Sequence, residues 1–235
     1  LQTRRDLLLI KDEKALERLN VRQTVGDIKD AEGTFDYSKI KKPEYNFEKI
    51  YKPETLNKQI ITNINAKDVF KYMNLQMLIG KHLGMKWVIS DLLSKKDPKA
   101  MKIYNEILDI INHGDEYFDI KAVYKYFPCR KNAEKIEILS DDLSEVLETF
   151  EFPRQKWGQY LSLNDYIHPT EIDYIGMFVV SAGEKSRIVS NELISKGEFY
   201  RGHLVNSLGL ELAESTAEYI HMVMRRDVGI IDKNI

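Results

Sequence analysis

The sequence predicts an α+β protein, because its helical and strand-like segments are grouped along the chain and do not alternate. Two helical patterns come first, several short β-rich segments follow, and further helical patterns close the chain. Short polar stretches separate the β-rich segments, as in antiparallel hairpins. We therefore expect one compact α+β domain from about residue 60 onward, with an antiparallel central sheet flanked by helices.

The composition is that of an ordinary globular protein of 235 residues, 43% hydrophobic and 31% charged. A formal net charge of −2 provides no overall basic field, so we expect neither a nucleic-acid partner nor a membrane partner. Cys129 is the single cysteine, which excludes an internal disulfide. With no signal-like or transmembrane stretch in the sequence, the predicted location is cytoplasmic.

Residues 1–60 have a different character from the rest of the chain. Residues 1–30 are charge-dense with leucines at helical spacing, and residues 34–61 mix Tyr, Lys and Pro without a helical period. They predict a charged linker helix followed by an extended strap, with few core contacts between residues 40 and 58. Because the sequence begins at Leu1 and stops just after a helical pattern, we expect it to be part of a longer protein.

Four helical segments are expected in the compact part, residues 61–235, two before the strands and two after them. The first begins at Asn65, a good N-cap residue, and continues through "VFKYMNLQML" with an apolar side. The second spans residues 98–112. The last carries an apolar stripe at helical spacing, made of Val205, Leu208, Leu212, Thr216, Ile220 and Val223.

The β-rich segments are "AVYKYF", "KIEIL" and "EVLETFEF", with the polar "SDDLS" as a hairpin connection between the last two. A further strand is predicted at residues 174–181 within "DYIGMFVVSAG". Its nearly unbroken apolar run is typical of a strand buried on both faces. Its small-residue end is compatible either with a ligand site or with a simple tight turn.

Several common chemistries lack support in the sequence. The five histidines are scattered without a metal-ligand spacing, so each is interpreted as structural or as a surface residue. Neither a dinucleotide-binding glycine motif nor a P-loop is present. Cys129 has no base beside it in "YFPCRK" and is interpreted as a small apolar residue.

Two polar positions stand out on apolar helical segments. Asn74 lies close to the buried side of the first helix, where an amide needs partners or a ligand. Glu214 lies near the margin of the stripe of the last helix, where a carboxylate could receive an ammonium or sulfonium group. The alternatives, a satisfied edge position for Asn74 and a solvated face for Glu214, remain open.

Six stretches occur in an order and spacing that resemble the activation domain of cobalamin-dependent methionine synthase. They are "VFKYMNLQMLIGKHLG", "AVYKYFP", "FPRQ", "SLNDYIHP", "DYIGMFVVSAG" and "LAESTAEYIHMVMRR". The resemblance covers about residues 64–230, and the segment from Leu1 resembles the linker that precedes this domain.

This resemblance implies a C-shaped single domain, with a twisted antiparallel sheet flanked by helices, that binds S-adenosylmethionine in a shallow groove. The implied activity is reactivation: oxidised cobalamin, held by a partner cobalamin-binding domain, is reduced by a flavodoxin-like donor and methylated from S-adenosylmethionine. The chain is then part of a methyltransferase of methionine biosynthesis and is expected to be inactive alone. The small-residue end of the 174–181 strand would meet the groove or the docking face.

The implied site residues are Asn74 and Glu214. Asn74 stands where the family motif "YID" has its ligand-contacting Asp, so the charge is lost there. Glu214 matches the Glu of "RLAE", whereas Glu211 stands at the Arg position. The family's "RxxxGYP" motif would fall after residue 235, so the C-terminal part of the domain is expected to be missing. With no matched Arg for the ligand carboxylate, this sequence is expected to bind S-adenosylmethionine weakly or not at all.

Two other functions are considered. One is a non-catalytic docking module that recognises a cobalamin-binding domain without tight S-adenosylmethionine binding. The departures at Asn74 and Glu211 favour it. The other, a free-standing methyltransferase of the Rossmann type, is disfavoured because the glycine-rich turn between strand and helix is absent.

Overall fold

The computed structural model describes residue 47, residues 49–155 and residues 160–230. The predicted charged helix of residues 1–30 and most of the strap lie outside the described residues. In the described part of the strap, residues 49–58, Pro53 is buried and the other side chains are exposed or half-buried. The expected scarcity of core contacts is therefore confirmed for this stretch.

The described residues fall into two compact units. The helical unit comprises residues 51–127 and 175–230, and the hairpin unit comprises residues 47, 49–50, 128–155 and 160–174. The first half of the helical unit contains β1 (Gln59–Ile61), α1 (Ala66–Phe70), a π-helix (Gln76–His82), α2 (Ile89–Ser94), α3 (Pro98–Asn112) and α4 (Gly114–Tyr117). Its second half contains α5 (Lys185–Ser195) and α6 (Phe199–Asp227).

Three of the strand pairs among the described residues are antiparallel. β2 (Lys121–Asn132) begins in the helical unit, where residues 122–124 pair antiparallel with β1. In the hairpin unit, residues 129–132 of β2 pair antiparallel with β3 (Lys135–Leu139), and β3 pairs antiparallel with β4 (Val146–Glu151). β5 (Asp173–Ser181) pairs with β2. This mixture of helices and antiparallel strands confirms the predicted α+β class.

The core of the helical unit is built from the inner faces of its helices. Asp97 caps α3 by accepting from the backbone N–H groups of Lys99 and Ala100, and Pro98 at the first helical position is preorganised for the helix. α3 buries an aliphatic stripe, and α6 buries Leu204, Val205, Leu208 and Leu212 against it and its neighbours. The predicted stripe of the last helix is confirmed, with Val223 only partly buried.

Two neighbouring helices of this unit, α5 and α6, pack with little space between them. A Cβ atom added to Gly202 on α6 would lie 2.8 Å from the carbonyl oxygen of Ser190 on α5. It would also lie 2.7 Å from the side chain of Ile194. Gly202 is therefore required by the close approach of the two backbones.

The prediction that the 174–181 strand is buried on both faces was wrong. The strand exists as β5, but Phe178 is 38% exposed and Val179 is 68% exposed. A short apolar run indicates a strand, whereas the number of its faces that are covered depends on packing that local sequence does not encode.

The prediction of one continuous first helix was also wrong. Asn65 caps α1 as expected, with its side chain accepting from the N–H of Lys67 at 2.9 Å. The helix ends at Phe70, and a second helix, the π-helix, starts after Asn74. The apolar period is nevertheless maintained, because Val69, Leu78 and Ile79 are all fully buried in the same core.

Candidate functional site

The candidate site lies in the helical unit, where residues 72–82 run along α6. At one end of this segment the rings of Tyr72 and Tyr219 have centroids 6.1 Å apart. At the other end Nε2 of His82 lies 3.0 Å from Oε1 of Glu211. The two contacts show that the segment and α6 run in opposite directions. We call the surface formed by residues 72–82 and 211–219 the antiparallel seam.

Asn74 lies in this seam, two residues before the π-helix. Its side-chain Oδ1 accepts from the N–H of Met77 at 3.1 Å, and its carbonyl oxygen accepts from Met77 and Leu78. The side chain is half-buried. Its amide oxygen thus has a partner within the chain. For its Nδ2, the structure shows no hydrogen-bond partner among the described residues.

Glu214 is exposed on α6, one turn beyond Glu211 and between the two contact points of the seam. Glu211 is buried, with its side chain only 7% exposed. From the sequence His82 is expected only to be a structural or surface residue, and in the structure it pairs with Glu211 across 129 positions of sequence. No local signal predicts this pair, because the two residues are far apart in the sequence.

The small-residue end of β5 is occupied by the chain itself. Gly183 has a positive φ of 81°, and a Cβ there would lie 2.9 Å from the carbonyl oxygen of Asp119. The N–H of Asp119 also donates to the carbonyl of Ala182 at 3.0 Å. Between the two interpretations of this turn, the structure therefore favours a tight turn packed against backbone.

In the hairpin unit, two of the sequence stretches that carry the resemblance are joined by an ion pair. Arg154 of "FPRQ" contacts both carboxylate oxygens of Asp165 in "SLNDY", at 2.5 and 2.7 Å, and both side chains are almost fully buried. Burial alone would raise the pKa of Asp165, but hydrogen bonds from Arg154 and from the N–H of Ser162 hold this pKa below its usual range. This pair stabilises the unit and is not aimed at a ligand.

Cys129 is fully buried in the hairpin unit. Burial, with a smaller effect of the Asp173 charge, raises the pKa of its thiol to about 12. The thiol is therefore protonated at neutral pH, as expected of a small apolar residue and not of a nucleophile.

The described residues contain neither a metal-binding cluster nor a membrane-spanning helix. Within the described ranges, no three His, Cys, Asp or Glu side chains cluster so that they could hold a metal ion. No helix among the same residues is long and apolar enough to cross a membrane. The described residues thus form an α+β module in which residues 72–82 pack antiparallel against α6, with the exposed carboxylate of Glu214 beside them.

Comparison with known proteins gives the family. Residues 57–233 match the model of the vitamin B12 dependent methionine synthase activation domain. The chain therefore belongs to the family of cobalamin-dependent methionine synthase activation domains, and the resemblance seen in the sequence is confirmed.

Individual relatives agree with this assignment. The chain is 31% identical over 117 residues to methionine synthase from Mycobacterium tuberculosis and 29% identical over 117 residues to that from Mycobacterium leprae. Each match covers 46% of this chain and 10% of the relative. Among solved structures, the fold is similar to a crystal structure described as the MetH reactivation domain bound to AdoHcy. That match has a TM-score of 0.66 and 20% identity, over 82% of this chain and 60% of that one.

Proposed function

We propose that this chain is the reactivation module of a cobalamin-dependent methionine synthase and binds S-adenosylmethionine at the antiparallel seam. Family membership over residues 57–233 carries the proposal, and the similar reactivation domain was crystallised with AdoHcy, the product of methyl transfer. In the proposed reaction one electron and one S-adenosylmethionine are consumed, and S-adenosylhomocysteine and a methylated cobalt are formed. A flavodoxin-like donor supplies the electron, and the module acts in the cytoplasm.

The residues of the seam fit the cationic side of this ligand. S-adenosylmethionine carries a sulfonium and an ammonium group, and a carboxylate attracts both. Glu214 is exposed, and Asn74 retains hydrogen-bonding capacity without charge. In this proposal these side chains position the methyl donor, and the cobalamin of a partner domain accepts the methyl group.

The experiment that tests this function measures product formation in a reconstituted mixture. The chain is combined with the cobalamin-binding domain of a methionine synthase in its cob(II)alamin form, with S-adenosylmethionine and a reduced flavodoxin. We expect S-adenosylhomocysteine to form in an amount equal to the cobalamin present, and only when this chain is included. Formation that does not depend on the chain contradicts the proposal.

A second candidate function is a docking module that recognises the cobalamin-binding domain without tight ligand binding. One observation favours it: the amide oxygen of Asn74 is already bonded to the N–H of Met77. The reconstituted mixture separates the two functions, because a docking module forms a complex with the cobalamin-binding domain in gel filtration but yields no S-adenosylhomocysteine.

A further inference from the structure

The carboxylate of Glu211 is buried, and a buried charge requires a partner. Its side chain is 7% exposed, and Nε2 of His82 lies 3.0 Å from Oε1. The ring nitrogen donates and the carboxylate accepts, so this is a charge-assisted hydrogen bond, a strong type. It joins the last residue of the π-helix to the middle of α6.

His82 is held from a second direction through its backbone. Its carbonyl oxygen accepts from Nε2 of His203 at 2.9 Å. Carbonyl groups at the end of a helix lack partners within the helix, and His203 supplies one from α6. His203 and Glu211 are about two turns apart on α6, so the end of the π-helix is attached to α6 at two points.

The other end of the seam is held by packing. Tyr72 contacts Tyr219 in a tilted arrangement, and rings in such contact contribute modestly beyond the area that they bury. Asn74 follows Tyr72 by two residues, and Glu214 lies between Glu211 and Tyr219. The placement of Asn74 relative to Glu214 thus depends on the attachments at both ends of the segment.

We infer that Glu211 is a positioning residue for the proposed ligand site: through His82 it fixes the segment that carries Asn74 against the helix that carries Glu214. This inference rests on the proposed function. A ligand that bridges two segments binds more tightly when both are already in place, because less ordering accompanies binding. Glu211 acts through His82 and does not need to touch the ligand.

The test measures the affinity for S-adenosylhomocysteine by isothermal titration calorimetry. We expect Glu211→Ala to lower the affinity about tenfold, the effect of losing one charge-assisted hydrogen bond. Glu211→Gln keeps an oxygen that can accept from His82, so its affinity should stay within about threefold of the original. His82→Asn and the double variant His82→Asn/Glu211→Ala should each lose as much as Glu211→Ala alone, because both residues act through one contact.

Tyr124→Phe serves as the control for a general loss of stability. It removes a hydrogen bond to Asp227 in the same unit but outside the seam, so it should lower the melting temperature without changing the affinity. If Glu211→Ala fails to fold, His82→Asn replaces it.

The outcomes separate the inference from the proposed function. The inference is overturned if the affinity for S-adenosylhomocysteine is the same in the original protein, in Glu211→Ala and in His82→Asn. The proposed function is not affected by that result. The inference is also overturned if Glu211→Gln and Glu211→Ala lose the same amount of affinity. In that case the charge of Glu211 would matter, and not the placement of His82. Absence of binding by the original protein overturns both.

Discussion

Tyr124 on β2 donates a hydrogen bond of 2.7 Å to the carboxylate of Asp227 at the end of α6. The neighbouring Tyr126 reaches the same helix end, donating to the carbonyl oxygen of Met224 at 2.7 Å. Around these residues Ala122, Ile220 and Met224 form a small apolar cluster. The hydrogen bond between Tyr124 and Asp227 therefore connects the C-terminal end of α6 to β2 within the helical unit.

This pair predicts a loss of stability at high pH. Burial, followed by the hydrogen bond and charge of Asp227, raises the pKa of Tyr124 to about 12. Because the folded-state pKa lies above the unfolded value of about 10, the stabilisation is complete below pH 10 and is lost as the pH rises towards 12. Urea unfolding at pH 8, 10 and 11 should show about 1 kcal/mol more loss of stability at pH 11 in the original protein than in Tyr124→Phe. Identical pH dependence in both proteins would show that Tyr124 is not the group responsible.

Cys129 is predicted to be unreactive in the folded protein. Its pKa of about 12 and complete burial leave almost no accessible thiolate at pH 8. Iodoacetamide should modify the native protein at least about 100-fold more slowly than the protein in urea. Mass spectrometry of timed samples measures both rates, and stoichiometric modification of the native protein at the unfolded rate would contradict the structure.

Arg154 is predicted to be a major source of stability in the hairpin unit. Arg154→Ala leaves the buried Asp165 without its guanidinium partner, which should cost about 3 kcal/mol in the free energy of unfolding. Arg130 provides a matched control, because its ion pair with Glu137 is half exposed and its removal should cost less than about 1 kcal/mol. Chemical denaturation of both variants makes the comparison, and equal losses would indicate that burial of the Arg154 pair has no special effect.

Gly202 is predicted to tolerate no larger residue. A Cβ at this position would lie 2.8 Å from the Ser190 carbonyl oxygen, so Gly202→Ala should separate α5 from α6 and destabilise the protein by about 1 to 3 kcal/mol. Asn206→Ala, at an exposed position of the same helix, should be neutral or slightly stabilising. Thermal unfolding distinguishes them, and a stabilising Gly202→Ala would mean that the two helices can move apart without cost.

Glu214 is predicted to favour the sulfonium form of the ligand. S-adenosylmethionine carries a positive charge on sulfur that S-adenosylhomocysteine lacks, so a nearby carboxylate should discriminate between them. Glu214→Gln should lower the affinity for S-adenosylmethionine about tenfold and that for S-adenosylhomocysteine by less. Calorimetry with both ligands, with Glu192→Gln at an exposed position of α5 as control, measures the ratio. An unchanged ratio would remove Glu214 from the sulfonium side of the site.

Local sequence was sufficient where a helix or a turn is determined by its own residues. The cap at Asp97, Pro98 and the apolar period place α3 at residues 98–112, as expected. The break between α1 and the π-helix has a local signal as well, since Asn74 is a good N-cap residue, but the continuous apolar period concealed it. The exposure of Val179 and the pairing of His82 with Glu211 depend on distant parts of the chain and could not be read locally.

The central claim, that residues 72–82 and α6 form an S-adenosylmethionine site, is tested most directly by titrating the ¹⁵N-labelled protein with this ligand and recording amide NMR spectra. We expect saturable shift changes concentrated in residues 71–83 and 203–219, with a dissociation constant of about 0.1 to 1 mM, because Glu211 stands where the family motif has its arginine. Saturable changes confined to the hairpin unit, or no changes at a ligand concentration of about 5 mM, would contradict it.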